Sequence, residues 1–72
     1  MDTIAAFRSR SEALKIYSLM KKNGIACSTI NTPSSLKIGC GISIVFPGTL
    51  KDKVSYLVKK GRVTSFVGFF EK

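Results

Sequence analysis

The apolar positions along this chain alternate between two periods. Residues 3–7, Thr-Ile-Ala-Ala-Phe, form a short, nearly unbroken apolar run that reads as a strand. Beyond it Ala13, Ile16, Tyr17 and Met20 recur at helical spacing and make one buried stripe. Ser9 stands three residues before Glu12, the capping-box spacing that satisfies orphan amides at a helix start. Lys21 and Lys22 suit the negative end of the helix dipole, and Gly24 is the expected C-cap. The spacing therefore predicts a helix over residues 9–23. Residues 25–31 and 42–46 read as two further strands, the second broken by Pro47-Gly48. Thr49 and Asp52 repeat the capping-box spacing ahead of a stripe of Leu50, Val54, Leu57 and Val58, and Gly61 closes that helix. Residues 63–70, rich in β-branched and aromatic side chains, read as the last strand.

The resulting order is β-α-β-β-α-β, within one domain spanning residues 1–72. This is the ferredoxin-like α+β arrangement: a four-stranded antiparallel sheet with two helices on one face. On the last strand Phe66 and Phe70 share a parity opposite to Val63, Val67 and Phe69. If the odd set faces the helices, Phe66 and Phe70 lie on the open sheet face, where they could join two copies in a homodimer.

Composition narrows the class. The chain has 72 residues and 44% hydrophobic content, enough for one small core and too apolar for disorder. No apolar run reaches the roughly 18–20 residues of a membrane span. Asp2 and Thr3 do not begin a charged-then-apolar leader, so the chain is expected to be soluble and cytoplasmic. Twelve basic and four acidic residues give a net charge of +8, a field that attracts anions of any kind. The bases are scattered and lack an RNA-binding aromatic signature, so solvated helix faces are favoured over nucleic-acid binding. Two cysteines and no histidine cannot supply the four ligands of a structural zinc site from one chain. No cofactor-binding loop or general base is visible, and no cofactor or metal is expected.

The chemistry concentrates in one segment. Cys40 lies between Gly39 and Gly41, where missing side chains leave room for another molecule to approach. In the ferredoxin-like topology the third strand inserts between the first two, so its start lies beside the end of the first strand. Cys40 is then expected near the first helix's N-terminus, around Arg8, Ser9 and Arg10. Partial positive charge there, with Lys37 in the preceding loop, would lower a thiol pKa and make the sulfur reactive. The loop over residues 32–39, opened by Thr32-Pro33, is longer than a usual hairpin connection, and such loops often carry function. Cys27 falls early in the second strand and reads as core. A Cys27–Cys40 bridge is disfavoured. Cys27 stands about four residues, roughly 13 Å, from the strand's end, and bridged Cα atoms lie within about 7 Å.

Phe7-Arg8-Ser9, Ala13-Leu14, Leu19-Met20-Lys21, Gly24-Ile25, Thr32-Pro33, Leu36, Cys40-Gly41 and Phe46 together resemble, in order and spacing, the Se/S carrier protein-like family of small bacterial domains of unknown function. The resemblance covers about residues 4–60, and its most specific part is the Thr-Pro…Leu…Cys-Gly segment. It implies a cysteine, here Cys40, that accepts sulfur or selenium as a persulfide or perselenide and passes it on. It also implies donor and acceptor proteins as partners, and an accessory carrier rather than a free-standing enzyme. The family often has Arg after Thr-Pro, where this chain has Ser34, and Pro before the Thr, where it has Asn31. Its first helix commonly carries Glu and Lys where this chain has Tyr17 and Ser18. The lost arginine removes a charge that could have steered a partner or stabilised an anionic sulfur, and Lys37 is the residue placed to compensate. The alternative is a non-catalytic protein- or anion-binding regulatory module in which Cys40 is incidental or redox-sensing.

Overall fold

The computed structural model describes residues 2–37 and 41–71. Strand β1 (Asp2–Phe7) is followed by helix α1 (Arg10–Lys22), strand β2 (Ser28–Asn31), a 3-10 turn (Ser34–Leu36) and strand β3 (Ile42–Pro47). A second 3-10 turn (Gly48–Leu50) leads into helix α2 (Lys51–Lys60), and strand β4 (Phe66–Glu71) ends the fold. The strands form one antiparallel sheet in the order β2-β3-β1-β4. This is the expected ferredoxin-like α+β fold, with β3 inserted between β2 and β1. No helix among the described residues is long and apolar enough to cross a membrane.

The core forms between the helices and one face of the sheet. Ala5 and Phe7 from β1 and Ile44 and Phe46 from β3 meet Ala13, Ile16 and Met20 from α1 and Val54, Leu57 and Val58 from α2. Alternation along β1 and β3 turns Ile4, Ala6, Ser43 and Val45 to the other face. Those four are also buried, between 0% and 7% exposed. The face without helices is thus well shielded at its centre.

The last strand departs from its expected course in two ways. It begins at Phe66, so residues 63–65 belong to the connection. Its register against β1 also shifts by one residue: Ala6 pairs with Gly68, but Phe7 pairs with Phe66. Val67 is the inserted residue of a β-bulge, and such an insertion resets which face the following side chains occupy. Phe66 therefore lies on the helix side, not on the open face. Its ring is 5.3 Å from that of Phe7 and 5.0 Å from that of Phe69, which is 5.9 Å from Phe46. These tilted and edge-to-face contacts extend the core. Phe70, opposite Ile4, is the one of the pair on the open side.

The helix ends show where local signals competed with packing. Ser9 caps α1 as its spacing predicts, its Oγ accepting from the Glu12 amide at 3.3 Å. The Thr49–Asp52 capping box does not form. Residues 48–50 are already wound into the 3-10 turn, and Leu50 occupies the N-cap position without a side-chain bond. Strand β2 begins at Ser28, three residues later than the apolar run suggested. At the end of α2, Gly61 is helical rather than left-handed, and Arg62 takes the left-handed turn at φ 54°. Position 61 is close-packed: a Cβ there would lie 2.7 Å from Ile16 Cδ1, the movable end of a side chain, and 3.3 Å from the Leu57 carbonyl oxygen. Lys15 crosses from α1 and donates its Nζ to the Gly61 carbonyl at 2.8 Å, capping the end of α2.

Candidate functional site

One edge of the molecule gathers the end of β1, the start of α1, the end of β2 and the start of β3. Ser9 fixes the helix start there. Its backbone is extended (φ −100°, ψ 121°), its carbonyl accepts from the Ala13 amide at 3.0 Å, and its Oγ also lies 3.1 Å from Ser11 Oγ. The first amides of α1 have no intrahelical acceptor and concentrate partial positive charge at this end. Arg8 and Arg10, both exposed, flank it. The Arg8 amide donates to the Ser65 carbonyl at 3.0 Å, which ties the approach to β4 to the same edge.

Gly41 is wedged into this edge. Its carbonyl accepts from the Thr32 amide at 3.0 Å, extending the β2–β3 ladder by one rung. A Cβ at 41 would stand 2.6 Å from the Phe7 carbonyl oxygen, 3.5 Å from Thr32 Oγ1 and 3.7 Å from the Arg8 carbonyl oxygen. The chain thus supplies its own reason for glycine at 41: β3 enters the sheet pressed against the backbone where β1 ends. Thr32 turns its hydroxyl to Ser43 Oγ at 2.8 Å, and Ser43 is fully buried. Pro33 opens the 3-10 turn, and the Leu36 and Lys37 amides donate to the Pro33 and Ser34 carbonyls at 3.1 and 3.0 Å. Lys37 ends the turn in the left-handed region (φ 54°, ψ 33°) and is exposed.

Of the site residues expected from the sequence, Gly41 bonds to Thr32 and lies beside the Arg8 backbone, with Ser9 and Arg10 next along the chain from Arg8. Pro33 and Lys37 lie on the turn that follows Thr32. Gly39 and Cys40 lie outside the described residues, as does the Cys27–Cys40 pairing. Cys27 is half-buried against the core just before β2 and is a free thiol. Burial pushes its pKa up, with Lys21 partly opposing. A thiol held protonated in this way is a poor nucleophile at neutral pH.

Two contacts at this edge were not foreseen. The Thr32–Ser43 hydroxyl pair joins diagonal neighbours, Ser43 lying opposite Ile30 and Thr32 opposite Gly41, that meet only once β2 and β3 are in register. The Glu12 carboxylate does not reach back to Ser9, as a full capping box would have it. Its Oε1 accepts from the Thr64 and Ser65 amides at 3.1 and 2.8 Å, bridging more than fifty positions of sequence. The nearby Ser65 hydroxyl dipole, then the hydrogen bonds from the Ser65 and Thr64 amides and the Lys15 charge, hold the Glu12 carboxyl below its ordinary range. Ser65 Oγ itself has no partner in hydrogen-bonding geometry among the described residues, so we assign the bonding to the two amides. No sequence spacing signals a contact of this range.

The family model described as "Putative Se/S carrier protein-like" matches residues 2–65. The chain belongs to this family. The match takes in both helices, the first three strands and the whole Thr32–Gly41 connection, so the edge described above is a feature of a Se/S carrier-like domain. No curated protein and no solved structure matches the chain.

Proposed function

We propose that this protein carries sulfur or selenium on Cys40 between a donor protein and an acceptor enzyme. The observation that carries the reading is the family match, which spans Cys40 and the edge into which Gly41 is wedged. Gly41, the sequence neighbour of Cys40, lies at the edge that holds the first-turn amides of α1 and two exposed arginines, and positive charge of that kind favours a thiolate over a thiol. Lys37 adds charge from the preceding turn.

The transfer needs no oxidant. The Cys40 thiolate attacks the outer sulfur of a donor persulfide, R–S–SH. A new S–S bond forms at Cys40 as the donor's S–S bond breaks, and the donor leaves as R–S⁻. The persulfide then on Cys40 yields its terminal sulfur to an acceptor nucleophile by the same exchange, and the Cys40 thiolate returns. Selenium follows the same balance as a perselenide. Gly39 carries no side chain to crowd the transferred atom, whereas Gly41 is glycine because β3 packs against the end of β1, and Thr32 and Pro33 set the course of the connection. The chemistry belongs in the reducing cytoplasm, where both thiols stay free. Cys27, with its raised pKa, takes no part. The test is intact mass after incubation with a persulfide donor system. The proposal expects a reductant-labile gain of one sulfur in the wild type and in Cys27→Ser, and none in Cys40→Ser.

A further inference from the structure

The cations of this chain are not spread over its whole surface. Nine of the twelve lie on the helical layer: four in α1, four in α2, and Arg62 in the turn that follows. Only two carboxylates, Glu12 and Asp52, share that layer, and Glu12 is committed to the Thr64 and Ser65 amides. The other two, Asp2 and Glu71, lie on the sheet. The large apolar side chains that stand exposed among the described residues are on the same layer: Tyr56 at 63% and Leu14 at 43%. On α2 the four positions three or four residues from Tyr56 are Asp52, Lys53, Lys59 and Lys60, all exposed, so three of its four neighbours on that face are lysines. The sheet's outer face, by contrast, has its central apolar side chains already buried.

We propose that the outer surface of the helices, around Tyr56, docks an acidic protein segment that carries its own apolar side chains. The occupant follows from complementarity of both charge and apolarity. The three lysines outnumber Asp52, and their positive field attracts carboxylates and speeds encounter. An exposed tyrosine beside them offers the aromatic anchor around which protein interfaces form. A phosphate backbone satisfies the lysines but gives Tyr56 no apolar partner. Nucleic-acid surfaces also favour the planar fork of arginine, whereas seven of these nine cations are lysines. The inference does not depend on the thiol chemistry: it holds whether or not Cys40 carries sulfur.

The test uses the whole protein, labelled with ¹⁵N, and three probes. One is a short amphipathic peptide with Glu on its polar face and Leu and Phe at helical spacing. The others are polyglutamate of equal charge and a short DNA duplex. The proposal expects amide shifts confined to the two helices, centred on Tyr56, with Ser28 and Ile30 on the sheet unmoved. It expects the amphipathic peptide to bind about tenfold more tightly than polyglutamate, and Tyr56→Ala to remove most of that advantage. Lys53→Ala with Lys60→Ala should weaken both acidic probes and flatten their salt dependence. Tyr56 is exposed, so its replacement leaves the fold intact, and a wild-type-like spectrum of the free variant checks this. Tighter binding of the duplex, equal binding of the two acidic probes, or shifts on the sheet would each overturn the proposal.

Discussion

At the scale of single residues, glycine and glutamate carry most of the information about the candidate site. Gly41 touches the Phe7 carbonyl so closely that any side chain must displace backbone, since its Cβ would lie 2.6 Å away. Gly41→Ala should therefore cost about 1–3 kcal/mol of stability, read as a lower urea midpoint with unchanged slope. An alanine variant as stable as wild type would mean that β3 does not enter the sheet against β1 at this point. Glu12 makes a different prediction, because its pKa in the folded protein lies below the ordinary value of 4.5. A depressed carboxyl stabilises the fold above the unfolded-state pKa, and that contribution fades as pH falls from about 4.5 through the lower folded value. Glu12→Gln should flatten the acid limb of the stability profile and leave the alkaline limb unchanged. Identical acid limbs would show that the bonds to Thr64 and Ser65 do not form in solution. Ser9 was legible from its spacing, since N-capping is a local effect. The final partners of Glu12 were not, because its acceptor role is decided by a loop more than fifty residues away.

At the scale of elements, the order of strands and helices was readable almost throughout, and the failures have local causes. The α1 stripe of Ala13, Ile16 and Met20 is buried as the periodicity required. Counting parity along β4 failed because it assumes an unbroken ladder, and the bulge at Val67 moves Phe66 to the helix side. This predicts unequal costs for two similar truncations. Phe66→Ala should destabilise by about 2–3 kcal/mol, somewhat less than a fully buried phenylalanine would cost, and Phe70→Ala by clearly less. Equal losses in parallel denaturation curves would restore the regular ladder. Helix α2 misled in the same way at both ends. Pro47 starts a 3-10 turn that takes Thr49 out of capping geometry, and Gly61 packs close to Ile16 while Arg62 makes the left-handed turn.

At the scale of the whole molecule, the fold separates its surface into two kinds. The helical layer carries most of the positive charge and the exposed Leu14 and Tyr56, while the edge at Gly41 collects Arg8, Ser9, Arg10 and Thr32. A net charge of +8 announced anion attraction, and the reading of its bases as solvated helix faces agrees with the fold, which puts nine of the twelve on the helical layer. Under the two proposals above, this arrangement separates the surface that meets a partner from the edge that handles the transferred atom. The central claim remains the thiol. Intact mass after exposure to a persulfide donor, compared across wild type, Cys40→Ser and Cys27→Ser, tests it most directly. A reductant-labile gain of one sulfur that requires Cys40 and is indifferent to Cys27 is the result this account predicts. No gain on the wild type, or a gain that persists without Cys40, would contradict it.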